Sequence, residues 1–243
     1  MSNGGPKYPP IEFEYLKLLK ELQPILVKAL NSLAEKKLAN LSASYLGKIA
    51  VTVNRASDGY LLLREASRMD ASKLLIRPAL EAVFCGTAAM KNKKFPFRKA
   101  YSEWEEHKKL FARSAAEKKD ADVYLKHMQE QFTKHNPDYP VVHKSISIKD
   151  TAEMAELLPA YEYSYRIYCK FTHSAMSAVE GNLNQRTDLF DTPTIVWCVL
   201  FMLKQLKQHT PAEIPDLDAF DRRVTVLDAE LAKHPPTSRV DIS

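Results

Sequence analysis

An arginine and a histidine lie two helical turns apart in the most informative stretch of the sequence. Arg166 and His173 are separated by six residues, which places them on nearly the same face of an α-helix. A histidine can transfer a proton near neutral pH, and an arginine beside it can hold a phosphate and offset the charge that builds up on phosphorus. Because RNA carries its own nucleophile, the 2′-hydroxyl, the pair predicts metal-independent RNA cleavage or phosphate handling. His173 would be the general acid/base and Arg166 the phosphate ligand.

The helix predicted over 160–183 carries this pair in a polar stripe. The stripe residues fall within about 40° of one line on the helix: Glu162, Arg166, Cys169, His173, Ser177 and Glu180. Tyr161, Tyr165 and Tyr168 on one flank, and Ile167 on the opposite side, are expected to pack against neighbouring helices. A solvent-exposed face explains the stripe equally well, since charged residues on helices usually face water.

A second polar pair lies in an otherwise apolar helix. Arg77 and Glu81 are four residues apart, so they can form an ion pair, and a purely structural role is the default interpretation. In the functional interpretation, Glu81 accepts a hydrogen bond from His173 and fixes its tautomer, while Arg77 and Arg166 form an anion pocket. Polar sites on apolar helices are best buried against each other. We therefore expect Arg77 or Glu81 to lie within hydrogen-bonding reach of the Arg166–His173 face.

Hydrophobic periodicity predicts the helices that must position these residues. They cover a segment around 15–33 and then about 41–66, 71–91, 98–117, 121–134, 147–157, 160–183, 192–210 and 216–233. Pro24 is expected to bend or break the first helix, Asp70 to cap the third, and Ser147 with Asp150 to cap the short sixth helix. The third helix is apolar on most sides, which predicts a place at the centre of the bundle.

The composition is that of a helical globular protein. The chain has 243 residues, of which 45% are hydrophobic, 27% are charged and only 6 are glycine. Hairpin turns and phosphate-binding loops depend on glycine, so β-rich folds, P-loops and Rossmann fingerprints are excluded. The sequence shows no internal repeat and no shift in composition. We predict one all-α domain, a bundle of about eight or nine helices over residues 11–233, with a disordered leader at 1–10 and a disordered tail at 234–243.

Charge and cysteine usage bear on compartment and partners. The net charge of +5 is concentrated between Lys91 and Lys119, where ten basic residues stand against four acidic ones. Interleaved aromatic residues give this segment the composition of a nucleic-acid surface, although amphipathic helices with solvated lysines are more common. The three cysteines are well separated in the sequence, which is typical of reduced thiols. No stretch has the pattern of a signal peptide or of a full membrane span. We expect a cytoplasmic protein whose partner is RNA, another protein or a second copy, and not a membrane.

Metal-ligand spacing is missing from the sequence. No paired cysteines at zinc spacing occur, and Glu103 with His107 is a single pair where a di-metal bundle site needs two. We therefore predict no bound metal and no cofactor.

Two longer motifs, taken together, resemble a known helical family. They are LIRPALE at residues 75–81 and YEYSYRIYCKFTHS at residues 161–174. Over about 41–183 the chain is similar to the mostly bacterial family catalogued as the domain of unknown function fifty-six seventy-seven. The resemblance implies a helical fold and no particular reaction, and it departs from the family pattern at Pro78 and Cys169, where serine is expected. It marks as signature positions Arg77, Glu81, Tyr165, Arg166 and His173.

The spacing of Arg166 and His173 also resembles, more weakly, the signature of HEPN ribonucleases. These are short helical bundles that cleave RNA without a metal, so the resemblance implies a toxin or defence effector with Arg166 and His173 in the catalytic site. The polar residue that often follows the arginine in that family is Ile167 here. The rival hypothesis is a non-catalytic helical interaction module in which the polar seam is structural.

Overall fold

All regular secondary structure in the described part of the chain is helical. The computed structural model describes residues 10–36, 38, 40–111, 115–135, 145–172 and 184–233. This confirms the prediction of a single all-α bundle. Pro10 begins the first helix, whereas the rest of the predicted leader and the predicted tail at 234–243 lie outside the described residues.

The helices follow one another with short connections in the first half of the chain. In order they are α1 (Pro10–Ala34), α2 (Leu41–Glu65), α3 (Met69–Lys73), α4 (Ile76–Lys91), α5 (Phe95–Phe111), α6 (Ala115–His135), α7 (Ile148–Met154), α8 (Leu158–Ala160), a π-helical turn (Tyr161–Tyr165), α9 (Arg166–Thr172), α10 (Asn184–His209) and α11 (Asp218–Leu231).

The core lies between α1, α2, α4 and α10. As predicted, α4 is central: every residue from Ala82 to Ala89 is buried. A Cβ on Gly86 would lie 2.9 Å from Cδ1 of Leu46 on α2, so glycine lets these two helices approach closely. Apolar burial of this kind, at roughly 25 cal/mol per Å², is the main source of stability for the bundle.

The remaining helices surround this core. The α5–α6 pair packs mainly through α5, since the side chains of α6 that the structure describes are exposed or half-exposed. The short α7 begins with the predicted capping box, in which Ser147 and Asp150 each bind the backbone N–H of the other. The last helix, α11, lies against α1, where the Tyr15 hydroxyl donates a 2.5 Å hydrogen bond to Asp228.

Several predicted helix boundaries were wrong. Residues 115–117, predicted to end the helix over 98–117, belong to α6, and others lie near a proline or a cap. The third predicted helix is two helices, α3 and α4, and Asp70 lies inside α3 instead of capping a helix. Helix α4 starts at Ile76, so Pro78 lies in its first turn, where a missing N–H costs no hydrogen bond. Pro193 lies inside α10 instead of at its start, and Pro24 lies inside α1, so the first helix is not broken there. Burial on both sides of these prolines outweighs one lost backbone bond.

Among the described helices, one is long and apolar enough to cross a membrane by length and composition. It is Leu189–His209 within α10. Its residues Ile195, Val196 and Val199 are fully buried against the other core helices, and a core helix passes the same test of composition. The segment is therefore weak evidence for membrane insertion.

Candidate functional site

A polar cluster joins α4 to the π-helical turn. Oε1 of Glu81 accepts a 2.9 Å hydrogen bond from Nε of Arg77 and a 2.6 Å hydrogen bond from the Tyr165 hydroxyl. The Cys169 thiol lies within hydrogen-bonding reach of the same hydroxyl. We call these four residues the Glu81 cluster. It brings together three of the sequence-predicted site residues, Arg77, Glu81 and Tyr165.

The π-helical turn presents Tyr165 to α4. The backbone N–H of Arg166 donates to the carbonyl of Tyr161, five residues earlier, instead of four as in an α-helix. The Tyr165 ring stacks on Tyr161 with centroids 5.2 Å apart and meets Phe84 edge to face at 6.0 Å. Turns of this type recur at functional sites, and here the turn puts a hydroxyl directly over Glu81.

The cluster lies at the edge of the core, half open to solvent. Tyr165 is only 4% exposed, but the side chains of Arg77 and Glu81 are 26% and 35% exposed. Burial and the bond to Glu81 both raise the pKa of Tyr165 well above its ordinary value. Burial alone would lower the pKa of Arg77, but the bonds to Glu81 and Tyr165 leave it raised. The tyrosine therefore stays protonated and the arginine charged at neutral pH.

The segment 156–172 and α4 run in opposite directions. Lys91 at the end of α4 pairs with Glu156, while Tyr165 meets Glu81 nearly three turns earlier on α4. The carboxyl end of α9, at Thr172, is thus directed toward the end of α4 that carries Arg77.

Arg166 and Ile167 both point to solvent. The Arg166 side chain is 66% exposed and donates a 2.8 Å hydrogen bond to Glu162, one turn away. This pairing raises the pKa of Arg166. Ile167 is 36% exposed, so the expectation that it packs against a neighbouring helix was wrong. The π-helical turn holds about one residue more than an α-helical turn, so a constant 100° step misplaces the residues after it.

Polar contact between the two motifs is made by Tyr165. The sequence pattern predicts Tyr165 on the packing flank and predicts that stripe residues reach α4. His173 lies outside the described residues, so its predicted bond with Glu81 stays a prediction. Arg166 is directed into water, and the polar link from α4 runs to Tyr165 and Cys169.

The basic segment also divides into exposed and buried parts. Lys93 and Lys94 are exposed in the turn between α4 and α5. Phe95 and Phe97, which the interleaved pattern offered for base stacking, are 0% and 7% exposed and belong to the interior. These two rings contribute to folding and are not accessible to stack on a base.

A buried ion pair between α1 and α2 was missed by the sequence analysis. Arg64 and Glu12 form this pair with 1% and 4% of their side chains exposed. Thr192 of α10 lies 3.4 Å from Glu12 and 2.8 Å from the Tyr60 hydroxyl, so the network spans three helices. The signal was present: Glu12 and Arg64 each fall on the apolar stripe of an amphipathic helix, where a charge needs a partner.

A second buried contact ties α9 to α10. The Tyr168 hydroxyl donates a 2.9 Å hydrogen bond to Asp191, and both residues are buried. Burial and the neighbouring carboxylate raise the pKa of Tyr168 well above its ordinary value. Tyr165 and Tyr168 thus hold the same helical segment against two different core helices.

The described side chains include no group of three or more residues suited to holding a metal ion. What the Glu81 cluster offers chemically is an oriented guanidinium, a hydrogen-bond donor suited to an anion. The single O–H of Tyr165 is donated to Glu81.

Comparisons with known proteins identify the family of the chain. Neither a curated protein nor a solved structure gave a match. The model of a family of unknown function, DUF5677, matches residues 43–190, which run from Ala43 in α2 to Phe190 in α10. The match confirms the predicted family resemblance and covers the Glu81 cluster, but not α1 or α11. The chain therefore belongs to DUF5677, a family of unknown function.

Proposed function

We propose that this protein cleaves RNA, or handles phosphate esters of the same kind, without a metal ion. In this proposal Arg166 binds the phosphate, His173 is the general acid/base, and Arg77 of the Glu81 cluster supplies a second guanidinium. A protein with this activity would act as a toxin or defence effector in the cytoplasm.

The observation that carries the proposal is the state of Arg77. Its guanidinium is held at Nε by Glu81, yet 26% of the side chain remains exposed at the edge of the core. An arginine oriented by a carboxylate loses less conformational entropy when it binds a phosphate. Its position near the end of α4 toward which α9 runs supports the proposed anion pocket.

The exposure of Arg166 also supports phosphate binding. Its partner Glu162 is one turn away on the same helix, and both side chains are open to water at 66% and 36%. Exposed pairs of this spacing are worth about 0.3–0.5 kcal/mol. A phosphate can displace Glu162 at little cost, because its bonds to the guanidinium are charge-assisted and can be bidentate.

Acid–base chemistry near neutral pH needs another group. The pKa values of Tyr165, Arg77 and Arg166 are all moved upward, away from neutrality. A histidine has an ordinary pKa of about 6.5, and His173 follows directly after α9 in the sequence. Proton transfer is therefore assigned to His173, because a histidine side chain titrates near neutral pH.

The test is cleavage of RNA in the presence of a chelator by wild type, His173→Ala and Arg166→Ala. His127→Ala, a change of an exposed histidine on α6, is the matched control. We expect loss of about 10²–10⁴ in rate for His173→Ala, none for the control, and products ending in a cyclic phosphate because the 2′-hydroxyl is the nucleophile.

Thermal melts of the same variants complete the test. A His173→Ala protein that melts like wild type but no longer cleaves supports the proposal. A wild type that cleaves no RNA, together with a His173→Ala variant that melts well below it, contradicts it.

One observation favours a second candidate, a non-catalytic interaction module. Each described polar group of the Glu81 cluster has a partner within the protein, as expected for a structural seam between helices. Under this alternative, exposed helix faces bind a protein or a second copy. An inert wild type that forms a stable dimer, or captures a defined partner in solution, would support it.

A further inference from the structure

A small apolar cleft opens between α1 and α2, on the side of the bundle formed by the first two helices. Its volume is about 170 Å³, and its walls are mostly carbon. The residues that line it are Phe13, Leu16, Lys17, Lys20, Leu61, Arg64 and Glu65. It lies apart from the Glu81 cluster, which α4 and the π-helical turn form.

The floor and rim of the cleft carry charge. At the floor, the side chain of Arg64 is 1% exposed and pairs with Glu12. At the rim, Lys20 and Glu65 form a 2.7 Å ion pair between the two helices, with about half of each side chain exposed. Phe13, at the mouth, is 57% exposed. The cleft is thus an apolar space with charged groups at both ends.

Lys17 is the remaining cation at the rim. Within the described residues it forms no direct ion pair. Its charge acts on the Glu21 carboxylate one turn away, but that carboxylate is held by both terminal nitrogens of Arg223. The carboxylate of Glu65 is likewise engaged by Lys20. The rim therefore offers a cation and no unengaged carboxylate, which favours an anionic headgroup over a cationic one.

We propose that this cleft binds a short-chain alkyl carboxylate, with the chain between Leu16 and Leu61 and the carboxylate at Lys17. A protein cavity of about 150 Å³ holds benzene, so a cleft of this volume holds a chain of about six carbons. Each methylene that enters the apolar space strengthens binding about fourfold, until the cleft is full. The site is independent of the RNA activity proposed above.

The test is titration of the full chain with butanoate, hexanoate and decanoate, followed by backbone NMR shifts of α1 and α2 and by the melting temperature. We expect affinity to rise from butanoate to hexanoate and to stop rising by decanoate, with the shifts centred on Leu16 and Leu61. Hexylammonium, which has the same chain and the opposite charge, should bind at least about fivefold more weakly.

Two variants test the headgroup and the chain separately. Lys17→Glu should weaken hexanoate at least about fivefold, while Lys28→Glu, an exposed charge change on the same helix, should leave it unchanged. Phe13→Ala should weaken hexanoate without changing the melting temperature of the free protein, since the ring is mostly exposed. Equal binding of hexylammonium, an unchanged affinity in Lys17→Glu, or no shift in either helix at millimolar hexanoate would overturn the proposal.

Discussion

The Tyr165 hydroxyl donates a 2.6 Å hydrogen bond to Oε1 of Glu81, a residue 84 positions earlier in the chain. The same oxygen accepts a hydrogen bond from Nε of Arg77. One carboxylate oxygen therefore fixes both the direction of an arginine on α4 and the position of the π-helical turn. Any role of this region in binding or catalysis depends on that shared acceptor.

Removing this hydroxyl should cost stability. Tyr165→Phe keeps the ring contacts with Phe84 and Tyr161 but leaves Glu81 with one donor fewer. We expect a loss of about 1 kcal/mol in the free energy of unfolding, measured by urea titration. Tyr163→Phe is the matched control, because Tyr163 is 78% exposed. If the two variants unfold at the same urea concentration, the bond to Glu81 does not contribute to stability.

The buried ion pair between α1 and α2 should be more sensitive. Glu12→Ala leaves the Arg64 guanidinium without its carboxylate in a site where it is 1% exposed. We expect a loss of about 3–5 kcal/mol, against less than about 0.5 kcal/mol for Glu14→Ala, an exposed neighbour. A small effect of Glu12→Ala would show that the pair with Arg64 does not hold α1 to α2.

Acid should weaken the attachment of α11 to α1. Arg223 lowers the pKa of Glu21 in the folded protein, so the pair stabilises the fold above the ordinary glutamate pKa of about 4.3. That stability is lost as the pH falls through the lowered folded value. Both side chains are 39% exposed, which limits the effect to about 0.2–1 kcal/mol.

The measurement for this pair is the unfolding free energy of wild type and Glu21→Gln between pH 7 and pH 3. The difference should be largest at pH 7, shrink below about pH 4.3 and fall with added salt. A difference that grows toward low pH would contradict the assigned direction.

Thiol reagents should separate the three cysteines. Cys169 is half-exposed, whereas Cys85 and Cys198 are buried. Burial raises the pKa of Cys85 to about 11 and raises that of Cys198 still further, so neither forms a thiolate at about pH 8. Iodoacetamide followed by peptide mass spectrometry should find Cys169 modified first, and all three modified in denaturant. Early labelling of Cys85 in the native protein would show that the α4 interior opens.

The raised pKa of Cys85 also predicts an alkaline effect. Its buried thiol stabilises the fold fully below the ordinary cysteine pKa of about 8.5, and this contribution is lost as the pH rises toward about 11. Cys85→Ala should flatten the stability profile in that interval, measured by urea titration at several pH values. An identical alkaline loss in the variant would assign the effect to other groups.

Several features of the fold were predictable because they depend on local chemistry. The capping box at Ser147 and Asp150 is a contact between residues three apart, and the central place of α4 follows from its apolar composition. Helix boundaries near Asp70 and Pro193 were not predictable in this way. At these positions, packing against distant helices sets where the helix begins, and the local sequence around a capping residue or a proline does not contain that information.

The candidate site likewise has a part that was predictable from local sequence and a part that was not. The types and spacing of Arg77 and Glu81 on an apolar helix predicted their ion pair, because an i,i+4 contact is set by helix geometry alone. The bond between Tyr165 and Glu81 was not predictable in this way, because the extra residue of the π-helical turn changes the helical register and so decides which side chain reaches α4.

By itself, the sequence determined a helical bundle, its family and the residue types available for chemistry. Only the tertiary structure decided which of those residues meet. The Tyr165–Glu81 bond, the Glu12–Arg64 pair and the Tyr168–Asp191 bond each join residues far apart in the chain. Such contacts depend on how whole helices pack, and one altered helical turn is enough to change which side chain reaches its partner.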